Sequence, residues 1–294
     1  MIDPILLMFA ATVFGLMIGS FLNVVIHRLP LMMEREWRAD CAALDGGEVT
    51  TDGETEPFDL VRPRSRCPGC GEKIAGYDNI PVLSYLLLGG KCRRCESAIS
   101  IRYPLVEAAT GAVTCLAAFA FGFPDGLPTT DSIIHVAAVS VFAWYLIALA
   151  MIDFDTQLLP DSLTMPLLWF GIVLGFSDAY PVTLEDAVLG AMFGYLSLWS
   201  VYWAFKLVTG KEGMGYGDFK LLSALGAWLG WQALPALILV SSAVGAIIGV
   251  MLLSTSFVKR SEPIPFGPYL AFAGLIMMFW GGRISDLFNI GSGI

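Results

Sequence analysis

Apolar residues run in long, nearly unbroken stretches along most of this chain, and polar positions gather in a few places between them. A helix that crosses a bilayer needs about 20 consecutive, mostly apolar residues. Such stretches fall at 4–26, 104–124, 132–152, 162–179, 186–208, 218–232, 233–256 and 265–282, which predicts eight spans. The sixth is short and abuts the seventh at Gly230-Trp231-Gln232, with Pro235 close behind. A tight turn is expected there, and a re-entrant element in place of the sixth span is the alternative. The first stretch has no basic segment before it and carries His27-Arg28 after it, so it reads as a retained span rather than a cleavable signal peptide.

Composition agrees with this pattern. The 294 residues are 56% hydrophobic and only 15% charged, whereas soluble domains average about 45–50% and about 25%. That excludes a soluble enzyme and a disordered or fibrous chain. The net charge of −9 is concentrated: residues 31–60 hold nine acids and two bases, and the rest of the chain sums to −2. With no basic stripe interleaved with aromatics, nucleic acid is not an expected partner. Basic residues also set the topology. If the N-terminus is outside, residues 28–103 are cytoplasmic and hold eleven of the 17 Lys and Arg. Alternation through eight spans then puts Lys206, Lys211, Lys220, Lys259 and Arg260 on the same side and leaves only Arg283 outside. The remaining surface faces membrane lipid.

The polar segment carries Cys67-Pro68-Gly69-Cys70 and Cys92-Arg93-Arg94-Cys95. Two such pairs suit a tetrahedral Zn²⁺ held by four thiolates, a closed and therefore structural site that would staple a module too small to fold on its own core. A redox pair or vestigial knuckles are the alternatives. A cytoplasmic face keeps thiols reduced, which disfavours disulfides. Cys41 and Cys115 read as a free thiol and a small apolar packer. The acidic stretch 31–60, with Gly46-Gly47 and Gly53, reads as a flexible solvated insert or, more pointedly, as an electrostatic lure for a basic peptide.

Ionisable groups at the edge of apolar spans are costly and mark functional sites. Asp153 ends the third span in Met151-Ile152-Asp153-Phe154-Asp155, and Asp218 begins the sixth in Gly215-Tyr216-Gly217-Asp218. An odd and an even span bring both to the cytoplasmic boundary. Two carboxylates in one cleft share a proton, so one can activate a water while the other polarises a carbonyl. That is aspartic-type peptide hydrolysis. It needs neither metal nor histidine, which suits a chain whose only histidines, His27 and His135, lie far apart in apolar stretches. Gly215 and Gly217 allow close backbone approach, and Lys220 is a further supporting candidate. Asp155 and Asp161 compete with Asp153, although Asp161 also suits the cap of the fourth span.

Gly19-Ser20-Phe21-Leu22-Asn23 through Arg28-Leu29-Pro30 resembles the first-span signature of type IV prepilin peptidases. The four-cysteine module, the segments 90–93 and 99–107, Ile152-Asp153 through Leu159-Pro160-Asp161, and Gly215 through Leu221 also resemble that family, in order and over nearly the whole chain. The resemblance implies an all-α polytopic membrane protein of the bacterial inner membrane, built of about eight transmembrane helices with a small cytoplasmic zinc-ribbon-like module. It divides the chain into a first helix (1–27), a cytoplasmic module (28–103) and a seven-helix membrane aspartic peptidase domain (104–294). It further implies a GxGD-type enzyme, with Asp153 and Asp218 as its catalytic pair, that removes the basic leader of prepilins or type II secretion pseudopilins. The same enzyme then N-methylates the new terminal residue with S-adenosylmethionine. Gly90, Lys91 and Glu107 are the candidates for methyl transfer, unless Glu107 simply pairs with a basic residue of the module. A transporter or membrane scaffold with a zinc ribbon is the rival reading. It fits less well, since transporters place ionisable groups near the midplane.

Overall fold

The computed structural model describes residues 4–44, 58–123, 128–254 and 265–288. Its elements are α1 (Pro4–Leu44), a 3₁₀ turn (Gly76–Asn79), α2 (Leu83–Leu87), α3 (Arg102–Phe121), α4 (Thr130–Thr156), α5 (Asp161–Leu174), α6 (Leu184–Thr209), α7 (Tyr216–Leu229), a second 3₁₀ turn (Trp231–Ala233), α8 (Leu234–Ser254) and α9 (Gly267–Phe288). Among the described residues the only extended pairings are two isolated bridges. Each of the eight apolar stretches contains a helix, but among the described residues five helical segments are long and apolar enough to cross a membrane: Pro4–Leu44, Arg102–Phe121, Thr130–Thr156, Leu184–Thr209 and Trp231–Met251. The protein is therefore an all-α membrane protein, and the count of eight spans is not confirmed. The reason is clearest at α5 and α7, which have 14 residues each and fall short of a bilayer's thickness.

The chain divides into two compact units, residues 2–116 and 117–294. In the first, α1 and α3 approach closely through small residues. A Cβ at Gly15 would lie 2.5 Å from Thr114 Oγ1, and one at Gly19 would lie 2.6 Å from the Glu107 Cα. This is the small-xxx-small device of membrane helix pairs. The structure corrects the expected start of the acidic insert, because α1 continues through Pro30 to Leu44. Proline removes one backbone hydrogen bond, but Glu, Arg, Met, Ala and Leu dominate the following turns and favour helix, and Arg38 pairs with Glu34 one turn away. Residues 45–57 of the insert lie outside the described residues.

In the second unit, α7 is the central element. From Asp218 to Leu229 every residue except Lys220 is buried, as expected of a mostly apolar helix packed in protein. α5, α6 and α9 pack against it. Trp228 fills the space left by Gly171 and donates from Nε1 to the Leu167 carbonyl at 2.7 Å. On α6, Gly190 and Gly194 face α7. A Cβ at Gly190 would collide with the Gly226 carbonyl, and one at Gly194 would sit 2.6 Å from the Leu222 carbonyl oxygen. Backbone cannot step aside as a side chain can. Gly190→Leu is therefore expected to lose about 1–3 kcal/mol or more of stability, read as a lower melting temperature in detergent. An unchanged melting temperature would contradict the crossing.

Candidate active site

Asp153 lies in the last turn of α4. The helix stops because Gln157 takes a left-handed conformation (φ 56°) and returns its N–H to the Asp153 carbonyl at 2.8 Å. Pro160 follows and marks the start of α5. Ile152 and Asp153 are buried, whereas Phe154 and Asp155 face outward. The two acids of Asp153-Phe154-Asp155 thus point into different surroundings, and burial separates them where spacing did not.

Asp218 sits in the first turn of α7, after Gly215 at the N-cap position, with its N–H toward the Gly215 carbonyl at 3.3 Å. It is 8% exposed and Asp153 is 5% exposed. The Asp153 carboxylate lies within electrostatic range of Asp218. Leu159, in the α4–α5 turn, lies beside both: a Cβ on Gly217 would be 2.8 Å from the Leu159 Cβ, and one on Gly267 would be 3.3 Å from its Cδ1. Gly217 therefore serves close approach, as its place before Asp218 suggests. Gly215 has open space around it, with the Asp218 carboxylate the nearest side chain at 3.9 Å from a built Cβ.

Gly267 is a residue that the sequence alone did not reveal. Its N–H, at the start of α9, donates to the Asp153 Oδ2 at 3.0 Å. The first N–H groups of a helix have no partner within it, so the carboxylate and the helix end satisfy one another. A Cβ at Gly267 would lie 2.6 Å from the same oxygen. The only local signal is a Gly-Pro pair opening an apolar run, 114 positions from Asp153.

Asp161 does not cap its helix. Pro160 occupies the cap position, with no side-chain cap bond. The Asp161 carboxylate instead receives Lys220 Nζ on both oxygens at 2.7 Å. This pair ties the start of α5 to the first turns of α7, two residues beyond Asp218. Next to it, Tyr216 packs on Tyr202 and Phe219, with ring centroids 5.3 and 5.4 Å apart.

The four cysteines converge. Their sulfur atoms all lie within 4.8 Å of one another, with Cys67 and Cys95 at 3.7 Å. Four sulfurs at about 2.3 Å around one Zn²⁺ would be separated by roughly 3.8 Å, so the donor set fits the ion. The two knuckles are built alike. Cys67 N–H bonds the Glu72 carbonyl and Cys92 N–H the Ser97 carbonyl, while Gly71 and Glu96 return N–H groups to the first cysteine's carbonyl. Gly71 and Glu96 both have positive φ, 70° and 56°. The Ser97 hydroxyl lies 3.0 Å from Cys95 Sγ and 3.6 Å from Cys67 Sγ. That hydroxyl, with the N–H groups of Cys70 and Gly69, brings the Cys67 thiol down to about 6. Ser97 lowers Cys95 in the same direction, whereas at Cys70 the bond to the Glu72 backbone is outweighed by burial and the neighbouring Cys95 and Cys67 sulfurs, which push it up to about 11. Thiolates are the metal-binding form.

The methyl-transfer candidates occupy the same unit as the cysteines. Gly90 (φ 71°) precedes the second knuckle, where a Cβ would strike the Tyr85 ring at 2.9 Å, and Lys91 bridges to Ala98. Among the described residues Glu107 has no basic partner of the kind one expectation gave it. Its Oε2 accepts the Val82 N–H at 2.8 Å and Ser20 also bonds it. Val82 holds a positive φ of 59°, unusual for a β-branched residue, and the Glu107 bond secures it.

Residues 13–121 match the Bacterial Peptidase A24 N-terminal domain, and residues 140–250 match the Type IV leader peptidase family. The prepilin leader peptidase/N-methyltransferase of Pseudomonas aeruginosa is 51% identical over 282 residues, covering 96% of this chain and 93% of the relative. The protein of the same name from Aeromonas salmonicida is 54% identical over 272 residues, 92% and 90% of the two chains. The one from Stutzerimonas stutzeri is 50% identical over 283 residues, 96% and 94%. No solved structure gives a significant match. With two family profiles matched in order and half of its residues shared with full-length relatives, the chain belongs to the type IV leader peptidase family.

Proposed function

We propose that this protein removes the basic leader peptide from prepilins or type II secretion pseudopilins and then N-methylates the new N-terminal residue. The observation that carries the reading is the pair of buried carboxylates, Asp153 at the end of α4 and Asp218 at the start of α7, in a chain of this family. One carboxylate takes a proton from water, and the water oxygen bonds to the scissile carbonyl carbon. The other, carrying the pair's proton, hydrogen-bonds the carbonyl oxygen and then protonates the leaving amine. Gly267 N–H holds the orientation of Asp153, and the Asp161–Lys220 pair holds the turn of α7 that carries Asp218. Asp155 is a peripheral acid in this scheme. The basic leader meets the enzyme at the cytoplasmic face of the bacterial inner membrane, with the N-terminus outside. Incubation of the purified protein with a prepilin should give a mass loss equal to the leader, and a prepilin left intact would overturn the proposal.

S-adenosylmethionine supplies an electrophilic methyl group when bound. On this chain Gly90, Lys91 and Glu107 are the proposed contributors to that step, and the amine that accepts the methyl is the one cleavage releases.

Zinc at Cys67, Cys70, Cys92 and Cys95 is proposed to be structural, since four thiolates leave no open coordination position. Metal analysis should return about one zinc per chain. Cys70→Ser should lower zinc content and folded yield before it lowers the rate per folded molecule. A folded, active wild type without zinc would contradict this role.

A further inference from the structure

α2 and the residues before it present a row of large apolar side chains that no other described residue covers. Leu86 is 68% exposed and Leu87 77%, while Leu83 and Ile80 are about half exposed. Contiguous exposed apolar surface of this kind marks a contact with a partner or a membrane.

The position of α2 along its neighbours identifies the partner. Val82, which opens α2, donates its N–H to Glu107 Oε2 at 2.8 Å. Glu107 is five residues inside α3 from Arg102, about 7.5 Å along the helix axis, and α3 is long and apolar enough to cross a membrane. At that level Glu107 packs on Gly19 of α1, another candidate span. Gly19 is nine residues before Arg28, about 13 Å along α1. The start of α2 is therefore pinned below the level at which both spans carry their arginines. With the two arginines at the bilayer edge, side chains left exposed at that level would face lipid rather than bulk water.

Charge points the same way. Residues 58–103, the part of the module after the acidic stretch, hold eight Lys and Arg against four Asp and Glu, a side-chain balance of +4 that a zinc tetrathiolate reduces to about +2. Arg93 and Arg94 are partly balanced by Asp78 and Glu72, and the excess remains positive. Basic residues beside a short apolar segment suit an anionic leaflet, with leucines in the acyl boundary and cations over the headgroups.

We infer that residues 80–88, with α2 at their centre, form a membrane-interface anchor that docks the cysteine module on anionic lipid. The inference is independent of the peptidase reading, because its test needs no substrate. The full-length protein would carry the photoreactive residue p-benzoylphenylalanine at position 86 or 87, or at the module position 72 as a control. It would be reconstituted in nanodiscs of phosphatidylcholine with or without one third phosphatidylglycerol, illuminated, and mapped by mass spectrometry. Phospholipid adducts at 86 and 87 are expected to exceed those at 72 by on the order of tenfold, as interfacial burial requires, and to rise with phosphatidylglycerol. Hydrogen exchange of the unsubstituted protein should slow at residues 83–88 on transfer from pure phosphatidylcholine discs to discs with one third phosphatidylglycerol. Crosslinks to this chain or, when prepilin is added, to prepilin in place of lipid would overturn the inference. So would equal lipid labelling at 72 and 87, or labelling indifferent to phosphatidylglycerol.

Discussion

Replacing Asp153 or Asp218 by asparagine is expected to lower leader cleavage by on the order of 10³-fold or more, the scale of losing a general acid or base. Asparagine is nearly isosteric and caps a helix as well as aspartate does. The Gly267 N–H would therefore keep an acceptor in Asp153→Asn, and folding and zinc content should be retained. What asparagine cannot do is cycle a proton. If the pair works as one unit, its effects are non-additive, so the double variant should be little slower than either single one. Asp155 is outward-facing and Asp161 is engaged with Lys220, so Asp155→Asn and Asp161→Asn should be milder. Methyl transfer to a pre-cut substrate should persist in both inactive peptidases, since it uses other residues. Initial rates of leader release, measured beside melting temperatures, check all of these at once.

Gly267→Ala is expected to cost about 10²-fold in cleavage with little loss of fold. Alanine keeps the N–H that meets Asp153, but its Cβ would arrive 2.6 Å from Oδ2 and 3.1 Å from Cγ of that carboxylate. The carboxylate must shift by a few tenths of an ångström or more. Small displacements of a reacting group carry penalties of this order. A positioning role predicts a fall in kcat with KM nearly unchanged, whereas a purely structural role would lower the melting temperature and yield instead. Wild-type kcat in Gly267→Ala would remove Gly267 from the site.

The parts of this site that were legible in the sequence are those whose signal is local. The cysteine tetrad follows from two short pairs, and the sulfurs meet as that spacing implies. Asp153 and Asp218 stand out because a carboxylate within an apolar stretch is rare and expensive. Gly267 could not be found in this way, because a glycine carries no chemical label and its partner is 114 positions away. Lys220 was visible only as a basic residue near Asp218, and its bond to Asp161 is a product of the fold. The span count is left unconfirmed for a related reason. Hydropathy registers α7 as apolar but does not separate a helix buried in protein from one facing lipid, and from Asp218 to Leu229 all of α7 but Lys220 is buried. At α1, the acidic stretch from residue 31 read as a flexible insert, yet the helical propensity of its first turns carries the helix to Leu44.

The central claim is that Asp153 and Asp218 jointly cleave the leader. Its most direct test is mass spectrometry of one prepilin after incubation with the wild type and with Asp153→Asn, Asp155→Asn, Asp161→Asn and Asp218→Asn in parallel. Expected is a mass loss equal to the leader with the wild type, Asp155→Asn and Asp161→Asn, and an intact prepilin with Asp153→Asn and Asp218→Asn. Normal cleavage by Asp153→Asn alongside loss in Asp155→Asn or Asp161→Asn would show another first aspartate at work, and normal cleavage by Asp218→Asn would contradict the aspartic mechanism itself.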